Sequence, residues 1–191
     1  MPEPMIRGHV IRHTARFFRT ECEPALALRI DAELPLDLRA ALDAVQSPEW
    51  YPRYYESEIL QAVARAHGDE VALRQDLLRC GAALAVGDNE FMKLLMRVLT
   101  PELLMKKAGR FWARDHRDAG GYHLERLDAE QRRASLRLAG VHGYSHCALI
   151  WQGWLRGILT EICRGGFDVE QQGWSWVHPA PSEIVYEVRW S

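Results

Sequence analysis

Apolar positions repeat at helical spacing through the first two thirds of the chain and at alternate positions in the last third. After Pro4, the positions Ile6, Val10, Ile11, Phe17 and Phe18 form a stripe that predicts a helix ending near Glu23-Pro24. A second helix is predicted over about 35–45. Ser47-Pro48-Glu49 places a capping serine before a proline and an acid, and predicts a helix from there to about Gly68. Val71, Leu73, Leu77, Leu78 and Cys80 predict another over 69–86, closing at Gly87. Glu90–Leu99 reads as helical too, and Thr100-Pro101-Glu102 launches a helix to about His116.

The period then changes. Tyr122–Leu127 and Arg133–Ala139 read as two strands joined by a polar turn, with Ala134, Leu136 and Leu138 facing in and Arg133, Ser135 and Arg137 facing out. A long helix follows from Ser145 to Arg164, and Gly153 and Gly157 lie one turn apart on it, where it can approach a sheet closely. Phe167–Val177 and Glu183–Trp190 form a last hairpin across a proline-rich connection, with Ile184, Tyr186, Val188 and Trp190 on its buried face. The order of helices, hairpin, helix and hairpin predicts an α+β fold in which an antiparallel sheet packs on helices. We expect one domain over 1–191, helical over 1–116 and built on the sheet and long helix over 117–191.

Composition narrows the function. A chain of 191 residues buries roughly 70% of its unfolded surface and needs no metal or disulfide to fold. Its net charge of −2 gives no basic field for nucleic acid or anionic lipid. No apolar stretch approaches a membrane span, and the start lacks the apolar run of a secretory signal, so the expectation is a soluble, cytoplasmic protein. Cys22, Cys80, Cys147 and Cys163 are far apart and without a CxxC pair, which fits reduced thiols in that compartment.

Three groups of residues carry candidate chemistry. His142 and His146, with Cys147 beside them, have the i, i+4 spacing of a metal grip, but no third ligand is evident and Gly143 places His142 in a loop. His9 and His13 share that spacing on the first helix, where a solvated face is the simpler reading. The third group is aromatic: five of the seven tryptophans fall in the last 41 residues. Trp112, Trp151, Trp154, Trp174, Trp176 and Tyr186 form either a plain aromatic core or the wall of a cavity for a small apolar or aromatic ligand. No serine occupies a GxSxG elbow, no phosphate-binding glycine loop is present, and the cysteines lack the basic or helix-start context of an activated thiolate. No catalytic residue or cofactor is assigned.

The chain resembles an uncharacterised family of myxobacterial paralogues related to the 4-vinyl reductase type of ligand-binding domain. The resemblance rests on Ile6-Arg-Gly8, Trp50-Tyr-Pro52, Leu99-Thr-Pro-Glu-Leu-Leu104 with Arg110-Phe-Trp112, Gly153-Trp-Leu-Arg-Gly157 and Tyr186-Glu-Val-Arg-Trp190, and covers nearly the whole chain. It implies a helical N-terminal part and a sheet carrying a long helix, as in haem-nitric oxide binding domains and TRAPP small subunits, with a cavity for haem, an aromatic effector or an acyl chain, and frequent homodimers. Two family motifs are altered. The Tyr-x-Ser-x-Arg pattern that grips haem propionates is represented by Arg133-Ala-Ser135-Leu-Arg137, without tyrosine, and His116 is the first histidine after His67, which makes it the one candidate axial ligand. The cysteine-containing zinc stretch of phenol-sensing relatives is replaced by Val177-His-Pro-Ala-Pro-Ser-Glu183. The expected function is a non-enzymatic regulatory sensor or adaptor with a small apolar ligand. The alternatives are a dimerising interaction protein without ligand, its protein partner unknown, and a metal-dependent enzyme on His142 and His146.

Overall fold

The computed structural model describes residues 3–87, 94–140, 145–172 and 183–191. In chain order, β1 (Met5–Arg7) leads into α1 (Gly8–Thr20), α2 (Pro24–Glu33) and α3 (Leu36–Leu42). β2 (Trp50–Pro52) precedes α4 (Tyr54–Ala66), α5 (Glu70–Val86) and α6 (Pro101–Asp115). β3 (His116–Arg117), β4 (Gly121–Asp128) and β5 (Arg133–Ala139) follow, then α7 (Ser145–Ile162), β6 (Phe167–Gln172) and β7 (Glu183–Trp190). The α+β expectation is met: β4-β5-β7-β6 form one antiparallel sheet, in which β5 pairs with β7 and so joins the two hairpins. The predicted segment 90–99 and strand 167–177 fall in part, and the proline-rich connection 178–182 wholly, outside the described residues.

Several helix boundaries follow from their caps. Asp69 accepts from the amides of Val71 and Ala72 at 3.1 and 3.2 Å, and Thr100 accepts from that of Leu103 at 3.3 Å, each satisfying orphan donors of the first turn. Pro24, expected only to stop a helix, also occupies the first turn of α2, and Pro35 divides α2 from α3.

Ser47-Pro48-Glu49 does not start a helix. The carbonyls of Glu49 and Ser47 accept from the amides of Gly8 and His9 at 2.9 and 3.1 Å, so this segment caps the N-terminus of α1. Trp50–Pro52 then pairs with Met5–Arg7, and with β3 these strands make a second, three-stranded sheet. Gly8 has no room for a side chain, because a Cβ there would collide with the Gln46 backbone carbonyl.

Gly153 and Gly157 let α7 approach a helix instead of the sheet. A Cβ on Gly153 would meet the Leu78 carbonyl, one on Gly157 would meet Ala82, and one on Gly81 would meet the Ile150 carbonyl. α5 and α7 therefore lie backbone to backbone through the centre of the molecule. Leu149, Ile150, Leu155, Ile158 and Leu159 are buried along α7, each worth about 1.5–3 kcal/mol of burial. Ala134, Leu136, Leu138, Ile184, Tyr186 and Val188 supply the inner face of the sheet. Ser135, expected on the outer face, is buried as well.

Candidate functional site

The buried face of α6 is set by Leu104, Met105, Ala108 and Trp112, one helical turn apart along much of its length. Trp112 therefore points into the space between α6, α7 and the sheet. There it meets Trp151 at 4.8 Å between ring centroids and stacks on His116 at 3.9 Å. Tyr122 of β4 lies 5.8 Å from Trp151 and 5.7 Å from Tyr186 of β7, and Trp151 lies 5.2 Å from Trp154. The polar atoms are mostly satisfied: the Trp112 indole donates to the Gly120 carbonyl at 2.9 Å and the Tyr186 hydroxyl to the Ala148 carbonyl at 2.9 Å. Trp112, Trp151, Trp154 and Tyr186 are thus brought together and buried, while Trp174 and Trp176 lie outside the described residues.

A buried polar group adjoins this aromatic layer. Arg53, at the entry to α4, donates to the Ala119 carbonyl and the Cys147 sulfur, both at 3.2 Å, and its Nε lies 3.8 Å from Glu56. Its guanidinium carbon is 5.5 Å from the Trp112 ring centroid. Burial raises the Glu56 pKa, and the Arg53 charge offsets part of that rise. Cys147 lies in the first turn of α7 and gains a cation that its sequence neighbourhood does not supply, Arg53. Burial outweighs them and pushes its thiol up to about 12, so it is not an activated nucleophile. All four cysteines are free.

His116 follows α6 directly. Burial, reinforced by the Arg53 charge, holds its pKa down to about 3, so the ring is neutral. Its Nδ1 lies 3.3 Å from the Trp112 carbonyl, which can only accept, and this assigns the ring proton to Nδ1. Nε2 is buried and has no hydrogen-bond partner.

The solvent face of α1 forms a different site. His9, Arg12, His13, Arg16 and Arg19 recur at helical spacing along one face, opposite the buried Val10, Ile11, Phe17 and Phe18. They line a cleft of about 970 Å³. Leu42, Asp43 and Ser47 also line it, as do Leu84, Ala85, Asp115 and Trp154. Trp154 is the predicted site residue that lines this cleft. Asp115 closes its inner edge, bound by Arg114 at 2.7 and 2.8 Å and by His9 Nε2 at 3.4 Å. Burial alone would raise the Asp115 pKa, but the hydrogen bonds and charges of His9 and Arg114 bring it down to about 2. His13 Nε2 lies 3.2 Å from the Cys80 carbonyl.

His9 and His13, read from sequence as a solvated face, therefore belong to a concave surface. Arg12, Arg16 and Arg19 carry no sequence signal beyond their helical period on a segment without acids. Arg53 and Glu56 gave no sequence signal at all. His142 lies outside the described residues, and His146 is in the first turn of α7. No group of three or more His, Cys, Asp or Glu side chains capable of holding a metal occurs among the described residues. No helix among them is long and apolar enough to cross a membrane.

No protein-family model and no curated protein matches the chain. Solved structures do. A variant H-NOX protein from K. algicida in its Fe(II) unliganded state is similar over 97% of both chains, with a TM-score of 0.73 and 9% identity. A variant H-NOX protein from S. oneidensis in the Fe(II) state has a TM-score of 0.66 and 12% identity, covering 97% of this chain and 96% of that one. An H-NOX structure obtained in probing the function of haem distortion gives 0.63 and 9%, covering 97% and 95%. Of the expected relations, these matches bear on the haem-nitric oxide binding one, and at such low identity they speak to architecture. Helices, hairpins and their order along nearly the whole chain are those of the H-NOX fold.

Proposed function

We propose that this chain is a non-enzymatic sensor or adaptor domain, folded as one unit, which takes a small ligand in the cleft along α1. The cleft itself carries this reading. It has the volume of a small-molecule site, at the upper end of the usual range of about 300–1,000 Å³, and joins an apolar wall to a few convergent polar groups. The H-NOX fold supports it by analogy of architecture. Trp154 touches the ligand in this scheme, while Trp112, Trp151 and Tyr186 hold the wall behind it.

The residues of this chain do not suit haem. His116 has the bare Nε2 that a metal would require, but one face of its ring is covered by Trp112 and its edge meets Trp151 at 5.2 Å. It is not among the lining residues of the cleft along α1, and its ring is buried. Arg137, in the place of the propionate-gripping arginine, is held on the sheet surface by Glu125 at 2.6 Å and Glu183 at 2.9 Å. In the cleft, the Nε2 atoms of His9 and His13 are engaged by Asp115 and the Cys80 carbonyl.

Native mass spectrometry of the protein purified from its own cells tests the proposal. The expected result is an added small-molecule mass that leaves on denaturation. A bare chain mass, together with a melting temperature that no small molecule raises, would overturn it. Titration with haemin is expected to give no stoichiometric Soret band, and such a band would overturn the exclusion of haem.

A further inference from the structure

The outer face of the three-stranded sheet gathers two arginines on one indole. Met5 and Arg7 flank Ile6 on β1, so their side chains leave the sheet on the side opposite Ile6. The register sets Trp50 of β2 across from Arg7, and Arg117 of β3 across from Met5, which places all four on that outer side. Ile6 and His116, paired on the inner side, are buried, whereas Arg117 is exposed and Arg7 and Trp50 are half-buried. The guanidinium carbons of Arg7 and Arg117 lie over the Trp50 ring, at 4.1 and 4.5 Å from its centroid. Arg7 also donates to the Pro48 carbonyl, which carries no charge. Among the described residues Arg117 makes no side-chain hydrogen bond, and no carboxylate lies within ion-pair distance of either arginine. Glu49 and Asp118, the chain neighbours of Trp50 and Arg117, are exposed and pair with neither.

Two like charges over one ring repel each other, and the indole holds them there because its face attracts cations. A guanidinium drawn to a ring still has its N–H donors to give, and those of Arg117 are unused. Two cations without a counter-charge call for a dianion, and a phosphate monoester carries about −1.5 to −2 charges at pH 7. We infer that Arg7 and Arg117 bind a phosphate monoester, their paired donors taking its oxygens, with Trp50 as the positioning residue that holds both guanidinium groups in place. The site adjoins the cleft along α1, which Arg7 also lines, but does not depend on the cleft holding a ligand.

Isothermal titration of the full chain with glycerol 3-phosphate, with an otherwise uncharged peptide carrying one phosphoserine, and with acetate tests this site. Both phosphate esters are expected to bind about tenfold or more tighter than acetate. Arg117→Gln should weaken both about tenfold, and Arg117→Lys, which keeps the charge but not the paired donors, should recover only part of the loss. Trp50→Leu should weaken both severalfold, and Trp50→Phe, which keeps an aromatic face, should restore most of the affinity. Arg126→Gln, at an exposed arginine of the four-stranded sheet, should leave binding unchanged. A tighter peptide upholds the site and names a phosphorylated polypeptide as the source of the phosphate, whereas a tighter or equal glycerol 3-phosphate upholds it for a small ester. Acetate binding as tightly as the esters overturns the dianion. Unaltered binding in Trp50→Leu overturns the part given to the indole. Should that variant fail to fold, the exposed Arg117 still decides the matter. No binding of either ester, or equal losses in Arg117→Gln and Arg126→Gln, overturns the site.

Discussion

The aromatic layer and the α1 cleft meet at Trp154 but are built in opposite ways. In the layer, Trp112, Trp151, Tyr122 and Tyr186 fill the space between α6, α7 and the sheet with the protein's own rings. In the cleft, the charged face of α1 and side chains such as Leu84 and Trp154 border one open space. The contrast teaches that aromatic density does not mark a vacancy. Large rings stabilise by excluding everything else, whereas the cleft keeps open a space that charged and apolar side chains border together.

Substitutions test this contrast by where their effects fall. The largest is expected from Trp112→Ala, which should lose about 3–5 kcal/mol in urea denaturation, since its ring is buried and contacts Trp151, His116 and Tyr122. A loss below about 1 kcal/mol would mean that the layer is loose.

Acidification comes next. The folded protein keeps His116 neutral with a pKa of about 3, whereas the unfolded chain binds that proton near 6.5. The contribution of His116 is therefore complete above pH 6.5 and is lost as pH falls toward about 3. Each unit within that window should remove about 1.4 kcal/mol. His116→Phe, which keeps a ring on Trp112, should flatten this slope relative to the unaltered protein, and parallel slopes would refute the assignment.

Gly153→Ala should cost about 1–3 kcal/mol by forcing α7 off the Leu78 carbonyl, read as a lower urea midpoint. Asp115→Asn should cost about 1–2 kcal/mol. The Asp115 contribution is present above pH 3.8 and lost as pH falls to about 2, so the variant should lack that limb. The smallest effect belongs to the open side of the cleft: Arg12→Ala should change stability by less than about 0.5 kcal/mol, and a larger loss would make Arg12 a structural residue.

Much of the architecture is legible in the residues. The alternation in Arg133–Ala139 and Glu183–Trp190 and the caps at Asp69 and Thr100 follow from local chemistry, because each depends on neighbours within a turn or a strand. Ser47-Pro48-Glu49 carries an equally good start signal and yet serves α1, because the donors that claim its carbonyls, Gly8 and His9, come from far earlier in the chain. Gly153 and Gly157 announce a close approach, but not that the approaching partner is α5. The aromatic residues announce a cluster, but not whether its centre is filled.

The sequence by itself determined the α+β order, the inner face of the sheet and the absence of a local catalytic motif, all of which are properties of short-range periodicity and composition. Only the tertiary structure decided that Arg53 and Glu56 lie buried near Trp112, that His116 is buried and neutral, and that the basic face of α1 borders the same cleft as Leu84 and Trp154. Those facts depend on which distant surfaces meet, and the free energy of a charge or a ring is set by what surrounds it in space.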